Sequence, residues 1–445
     1  MKLEDLALIS NGSLNGDSLE VSGFSIDTRS IKKGEVYIAI VGEYLDGHDF
    51  IAEAEKKQAK ALIVNKIVKS NLPFIVVKNT LDFMQDIACH NRASFNGNVI
   101  GITGTNGKTT SKQILSNLLS QKHRSHKTDG NKNNHIGVPF SMLNIDNQYK
   151  SSVIEIGTSQ VGEIKHLTNL VKPTIAAITN VSAGHLEGLR DTDSIACEKG
   201  DILEFHDSNG IAVLPRDSDF FKFWSNKTNA KKIISFGFHE DSNFKVQNPM
   251  IDVENNLTSF QLMHEGLLEE CSINGVGIHN TLNAAMGLAI CSALNLKVSE
   301  VKEALRNIDF PERRLSIHRS ISNSILIDDS YNSNPASMKR SIDVLDSMNN
   351  YKKICLFGEM KELGESSTSL HTDIYQYAKG KVDYFFCLGE DWKDIKGSNK
   401  TKFKIFSSHD ELYESIKDLI NQNTVILVKG SRSTRMDIVA DKFKI

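Results

Sequence analysis

A chain of 445 residues exceeds one ordinary domain and predicts about three. Forty per cent hydrophobic against 24 per cent charged residues suits a globular protein, and a net charge of −3 offers no basic excess for nucleic acid or anionic membrane. No apolar run reaches membrane-spanning length, the first residues lack a secretion-signal core, and the six cysteines show no Cys-x-x-Cys; the expectations are no membrane insertion, buried reduced thiols and a cytoplasmic location.

Residues 1–79 read as a small mixed α/β domain. Runs at 36–41, 61–64 and 74–77 predict strands, with a helix at 50–56. The segment 98–103 predicts another strand, and 112–120 carries apolar residues at helical spacing. Between them lies Gly101-Ile-Thr-Gly-Thr-Asn-Gly-Lys-Thr-Thr110, giving strand, glycine-rich turn and helix, the context of a P-loop. Backbone N–H groups of such a turn face phosphates. Gly104, Thr105, Asn106, Gly107 and Thr110 would form the cradle, Lys108 would reach the β- and γ-phosphates, and the Thr109 hydroxyl would hold Mg²⁺. The spacing departs from the usual one: Ile102 stands five before Gly107, and the glycine comes one residue earlier. A glycine-rich turn with a chance lysine would not also supply the Lys-Thr order in this context, so ATP or a close relative is the expected ligand.

Strands at 153–156 and 174–179 alternate with helical stretches, predicting a central domain over 80–311 with a mostly parallel sheet. Residues 243–274 alternate apolar and polar around turns, which predicts an antiparallel patch at the sheet edge. Helices follow at 278–294 and on to about 307, with a boundary near Pro311. Over 312–445 the alternation restarts, with strands at 325–327, 353–357, 384–388 and 425–428: a doubly wound, Rossmann-like domain without a phosphate loop of its own. Ligands of such sheets sit beyond the carboxyl ends of the strands. Glu155 interrupts an apolar strand, so its carboxylate must meet a cation, either Mg²⁺ at the γ-phosphate or a salt-bridge partner. His185, in the loop after 174–179, could join that metal shell, although magnesium prefers oxygen. Lys199 by itself reads as a solvated helix lysine. The loop Lys429-Gly-Ser-Arg432 suits an anion at a helix start, or a plain cap.

Several motifs in fixed order resemble the Mur ligase family, which builds the peptide of bacterial peptidoglycan. They are Gly104-Thr-Asn-Gly-Lys-Thr109, Gly130-Asn-Lys-Asn-Asn134 with Ile136-Gly-Val-Pro139, Glu155-Ile-Gly157, and Thr179-Asn180 leading to His185-Leu-Glu187. Toward the C-terminus come Asp328-Asp-Ser-Tyr-Asn-Ser-Asn-Pro335, Gly358-Glu-Met-Lys-Glu-Leu-Gly364 with His371, and Val428-Lys-Gly-Ser-Arg-Ser433. Ser25-Ile-Asp-Thr-Arg-Ser30 and Asp46-Gly-His-Asp-Phe50 resemble the family's UDP-sugar-binding domain. The Asp-Asn-Pro motif usual in the tripeptide-making members is absent. The resemblance therefore implies the member that joins D-alanyl-D-alanine to UDP-N-acetylmuramoyl-tripeptide through an acyl phosphate, with ATP and two Mg²⁺ ions, acting as a monomer.

The resemblance also implies roles. Lys199 matches a lysine carbamylated by CO₂, which turns a cation into a carboxylate-like anion; His185, Glu155 and Thr109 would complete the metal shell. Asn280 would read adenine, Arg313 or Arg314 would close on the nucleotide, and Asp329 would approach the ribose or stabilise the closed state. Ser25, Thr28, Arg29, Gly47 and His48 match the UDP-sugar site, Asn133 and Asn134 contact the muramoyl substrate, and Tyr331 and Asn332 face the dipeptide. Departures are Thr158-Ser159 where a small residue and an alanine are usual, Asp201 for glutamate, and His135 at a position often acidic. Two other readings differ in what they need. A folylpolyglutamate synthetase would begin directly with the nucleotide domain, and an ATP-hydrolysing switch would need neither Lys199 nor a third domain.

Overall fold

The computed structural model describes residues 1–184, 186–205, 209–395 and 401–445. Three sheets succeed one another along the chain. The first has five strands in the order Ser13–Asn15, Phe74–Val76, Ala61–Val64, Val36–Ile38 and Phe24–Ser25, with Ser13–Asn15 antiparallel and the rest parallel. Its predicted strands are present, two of them shorter than expected, and two short outer strands join them. The helix Thr80–Ser94 binds this unit to the next: Phe83, Met84 and Ile87 enter the first core, whereas Ala88 packs into the second.

The second sheet has nine strands. Its order is Leu267–Asn274, Leu257–His264, Phe244–Asp252, Lys232–Gly237, Ile211–Pro215, Ile175–Ile178, Asn98–Thr103, Ser151–Glu155 and Ser125–Lys127. Seven strands, from Phe244–Asp252 to Ser125–Lys127, run parallel, and helices cover both faces at their centre, so Ile175–Ile178 and Ser151–Glu155 are buried along their whole length and read as near-continuous runs without alternation. Phe244–Asp252, Leu257–His264 and Leu267–Asn274 form the expected antiparallel edge, and Leu257–His264 alternates half-buried and buried residues. Ile278–Ala293 is the core helix of one face and meets Lys108–Ser120 closely; a Cβ on Gly287 would lie 3.1 Å from Leu118. The helix expected after it is a single turn, Val298–Val301, continued as the 3₁₀ segment Lys302–Asn307. Among the described residues no single helix is long and apolar enough to cross a membrane; the one bent pair that passes by composition includes this buried core helix.

The third sheet runs Ser316–Arg319, Ile325–Asp329, Thr424–Lys429, Lys352–Phe357, Tyr384–Leu388 and Lys402–Phe406, all parallel except the first. Pro335–Asp346 and Ser367–Ala378 cover one face, His409–Ile416 and Asp437–Phe443 the other. This is the expected doubly wound unit with two extra edge strands. All six cysteines are free thiols; Cys271, Cys291, Cys355 and Cys387 are buried, whereas Cys89 and Cys197 are exposed.

Candidate functional site

Strand order assembles the site. Asn98–Thr103 lies between Ile175–Ile178 and Ser151–Glu155, so the glycine-rich turn, Asn180 and Glu155 emerge side by side at the carboxyl end of the sheet. Gly104 has φ 150° and a Cβ there would sit 1.8 Å from Thr179 Oγ1; Gly107 has φ 81° and its Cβ would sit 2.8 Å from Asn283 Oδ1. Only glycine fits either place. Two residues absent from the expected cradle, Thr179 and Asn180, clamp the turn. The Thr179 hydroxyl (2.6 Å) and the Asn180 amide (2.9 Å) donate to the Asn106 carbonyl, and Asn106 N–H donates back to Asn180 Oδ1 at 3.1 Å. Lys108 opens the helix Lys108–Ser120 and folds over the turn, donating to the carbonyls of Gly104 (2.7 Å) and Thr105 (3.2 Å). Burial lowers its pKa, the Arg314 charge adds to that, and Glu155 opposes it.

Glu155 is buried and does meet a cation, Lys112, at 3.0 Å. Lys112 also donates to the Gly130 carbonyl, and it follows Lys108 by one helical turn on the same face. The other carboxylate oxygen accepts from Thr109 Oγ1 (3.0 Å) and Asn133 Nδ2 (2.8 Å). Burial alone would raise the Glu155 pKa, yet Lys112, Lys108 and Asn133 together hold it below the ordinary value. Removing one member of such a pair strands the other charge. Lys112→Met should therefore destabilise the chain by about 3–5 kcal/mol, read as an earlier thermal unfolding transition; wild-type melting would mean that the pair contributes nothing to folding.

The third unit closes over this end of the sheet. Arg314 donates to Thr109 Oγ1 at 3.3 Å, stacks 4.1 Å above the Tyr331 ring, and keeps its buried Nε without a hydrogen-bond partner. The Tyr331 hydroxyl accepts from Asn131 Nδ2 at 2.6 Å. Asn106 and Asn334 exchange side-chain hydrogen bonds at 3.3 and 2.8 Å. A cavity of about 380 Å³ lies between the units, lined by the 105–110 turn, Asn133, Glu155, Asn280, Arg314 and Asp329 among others. Asn334 also caps the helix Pro335–Asp346. Asn334→Ala should cost about 1 kcal/mol through the lost cap and loosen the closed arrangement; amide exchange in the 104–107 turn that stays as slow as wild-type would refute the second effect.

The structure separates the two arginines left open by the doubled sequence. Arg314 faces the cavity, whereas Arg313 turns to the C-terminal helix, pairing with Asp441 (2.9 Å) and Asp437 (3.6 Å). Asp329 and Lys429 end adjacent strands in register and form a buried pair at 2.6 Å; Lys429 also donates to the Asn332 carbonyl at 2.9 Å. Lys429 thus braces the Asp328–Asn334 segment. Neither an anion nor a helix cap is needed to explain it. His371 is structural too, accepting from Met360 N–H (3.0 Å) and donating to the Ser367 carbonyl (2.7 Å). Asn280 lines the cavity, its amide donating to the Val276 carbonyl at 2.9 Å. Asn134 also lines it but uses Oδ1 to accept from Ile136 and Gly137 N–H.

Lys199 lies outside the cavity lining, buried on the helix Thr192–Gly200 and not solvated as its sequence alone suggests. Burial first, then the Lys108 charge, push its pKa well below that of ordinary lysine, against the pull of Glu198. His185 falls outside the described residues. Ser25, Thr28, Arg29, Gly47 and His48 gather at one end of the first sheet, away from the cavity lining. Arg29 grips Asp27 in a fork at 2.9 and 2.7 Å, and His48 donates to Asp46 (2.5 Å) while accepting from Asn65 N–H. Among the described residues no three His, Cys, Asp or Glu side chains form a ready-made metal centre.

Three family models match successive segments: the Mur ligase family catalytic domain at 20–92, the Mur ligase middle domain at 102–291, and the Mur ligase glutamate ligase domain at 313–432. The UDP-N-acetylmuramoyl-tripeptide–D-alanyl-D-alanine ligase of Buchnera aphidicola is 33% identical, over 99% of this chain and 97% of the relative. MurF from Acinetobacter baumannii superimposes with a TM-score of 0.89 at 26% identity, covering 99% of this chain and 98% of its own. MurF ligase from Thermotoga maritima, solved in complex with ADP, gives 0.83 at 28% identity, covering 95% and 97%. Full-length likeness at that identity, across all three units and in the same order, makes the chain a member of the Mur ligase family.

Proposed function

We propose that the protein joins D-alanyl-D-alanine to UDP-N-acetylmuramoyl-tripeptide at the cost of ATP, giving the pentapeptide precursor, ADP and phosphate, as a monomer in the cytoplasm. The observation that carries this reading is the cavity in which a phosphate turn, the 131–134 loop and the Arg314–Tyr331 stack converge within hydrogen-bond reach of one another. Relatives bearing that activity in their names match over the whole length.

A carboxylate and an amine do not condense unaided in water. One oxygen of the tripeptide carboxylate attacks the γ-phosphorus, the bond to the β-phosphate oxygen breaks, and ADP leaves. The dipeptide amine then attacks the acyl carbon, phosphate departs with the bonding pair, and the amine proton passes to solvent or a base. The first step brings two anions together, so the site's task is placement and charge neutralisation. Lys108 leaves its carbonyl partners for the β- and γ-phosphates, and Arg314 Nε has a donor to spare for the same group. Asn133 orients the acceptor beside Glu155. Tyr331 and Asn332, from the opposite wall, serve the dipeptide, and Asp27 with Arg29, near enough to Lys132 for its charge to be felt, belongs to the UDP-sugar end. Closure of the third unit keeps water from the acyl phosphate.

Thr109 and Glu155, two oxygen ligands 3.0 Å apart, suit Mg²⁺, which prefers one or two protein oxygens with phosphates completing its shell. Bound there, it would neutralise charge on the transferred phosphoryl group. Carbamylation requires a neutral amine, and burial moves the Lys199 pKa in the direction that favours it; the carbamate and His185 would serve a second ion.

The test is phosphate release from ATP with the tripeptide nucleotide, with and without D-alanyl-D-alanine, followed by the product's mass. Release should require both substrates. If other amino acids replace the dipeptide, the choice of acceptor amine is wrong; if neither substrate stimulates release, the ligase reading fails.

A further inference from the structure

The helix Pro335–Asp346 turns one face to the cavity, with Ser337, Arg340 and Ser341 at i, i+3 and i+4 all among the lining residues. Ser341 is committed, donating to Asp329 Oδ2 at 2.6 Å. Arg340 is not. Among the described residues its guanidinium has no ion pair and no hydrogen bond, and burial, unopposed by any carboxylate, lowers its pKa. A half-buried guanidinium that lines the cleft without a counter-charge of its own is free to meet a ligand there.

Its place says what that ligand is. Ser111 and Asn283 tie the core helix to the phosphate turn, with Ser111 Oγ donating to Asn283 Oδ1 at 3.2 Å. Asn280 lies one turn nearer the start of that helix, and His279 beyond it. Burial, then the charges of Arg340 and Lys429, hold His279 down at about 3, so it faces Arg340 as a neutral ring. Arg340 therefore sits at the Asn280–His279 end of the cleft, away from Lys108.

We propose that Arg340 is a nucleotide-binding residue for the nucleoside end of ATP, its guanidinium plane lying on the purine and its N–H groups donating to the ribose, while Lys108 and Arg314 serve the polyphosphate. Guanidinium is planar, weakly hydrated and stacks on aromatic faces, which suits a half-buried cleft wall better than an ammonium would. The inference rests on the ATP reading of the cleft.

The test compares wild-type, Arg340→Met and Arg340→Lys by calorimetric titration with ADP and with ATP, by ATP kinetics, and by ligand-free melting. Arg340→Met should weaken ADP and ATP by the same factor, about tenfold, because the γ-phosphate is not its partner; the ATP KM should rise more than kcat falls. Its ligand-free melting temperature should match or exceed wild-type, since an uncompensated charge has been removed. Arg340→Lys, which keeps the charge without the plane, should still bind several-fold more weakly than wild-type. Unchanged ADP affinity, loss of ATP alone, wild-type affinity in Arg340→Lys, or a ligand-free melt several degrees below wild-type would each overturn the assignment. If the wild-type protein itself binds neither nucleotide, it is the ATP reading that fails.

Discussion

Lys108→Ala should lower ligation and its coupled phosphate release by about 10³-fold or more. Lys108 is the one ammonium on the phosphate turn itself, and its hydrogen bonds run only to the carbonyls of Gly104 and Thr105. On the proposed reading those carbonyls hold the place of a phosphate, which the ammonium would reach without moving the backbone. The turn does not depend on Lys108 for its shape, which Gly104, Gly107, Thr179 and Asn180 set. The variant should therefore fold normally, and losing a buried positive charge beside Arg314 should leave the ligand-free melt no lower. Folded protein with turnover within tenfold of wild-type would sink the role. Unfolded protein would instead mean that the two carbonyl contacts hold the turn.

How far the site could be read in advance depended on whether its parts are contiguous. The glycine-rich turn was legible because Gly104, Gly107 and Lys108 lie within five residues, between an apolar strand and a helix. The antiparallel edge was legible because period-two alternation needs only local sequence. Ion pairs are not local. Glu155 announced itself as a polar residue in a buried strand, but its partner Lys112 sits 43 residues earlier in a helix, and nothing in the alternation names it. A signal did exist, since Lys108 and Lys112 share one helix face and one buried lysine implies scrutiny of its neighbour. Thr179 and Asn180 were visible as a motif but not as a clamp, because the clamping depends on strand order. Arg313 and Arg314 differ by one position, and only their surroundings separate them: Asp437 and Asp441, more than a hundred residues later, draw one away from the cleft. Arg340 lies in a mixed helix whose composition signals nothing. The outer strands at 316–319 and 402–406 escaped because short edge strands carry mixed residues where one side is wet.

Lys199→Met should separate catalysis from stability in opposite directions. Activity should fall by about 10²–10³-fold, and short carboxylic acids should restore part of it in Lys199→Ala, where the missing side chain leaves room. Stability should rise at neutral pH. The folded-state pKa of Lys199 lies well below the unfolded value of about 10.4. Between those two values the unfolded chain binds the extra proton, so stability climbs with pH across that window and is lowest below it. Methionine has similar volume and no proton to bind. Its gain should be present at pH 7 and shrink toward pH 10. Carbamylation would relieve the same penalty by chemistry, because a neutral amine attacking CO₂ forms an N–C bond, releases one proton and leaves an anion beside the Lys108 ammonium. Bicarbonate should thus raise the melting temperature of wild-type protein and leave Lys199→Met unmoved. A wild-type melt insensitive to bicarbonate, together with a Lys199→Met variant that melts earlier, would make Lys199 an ordinary packing residue and remove the carbamate from the mechanism.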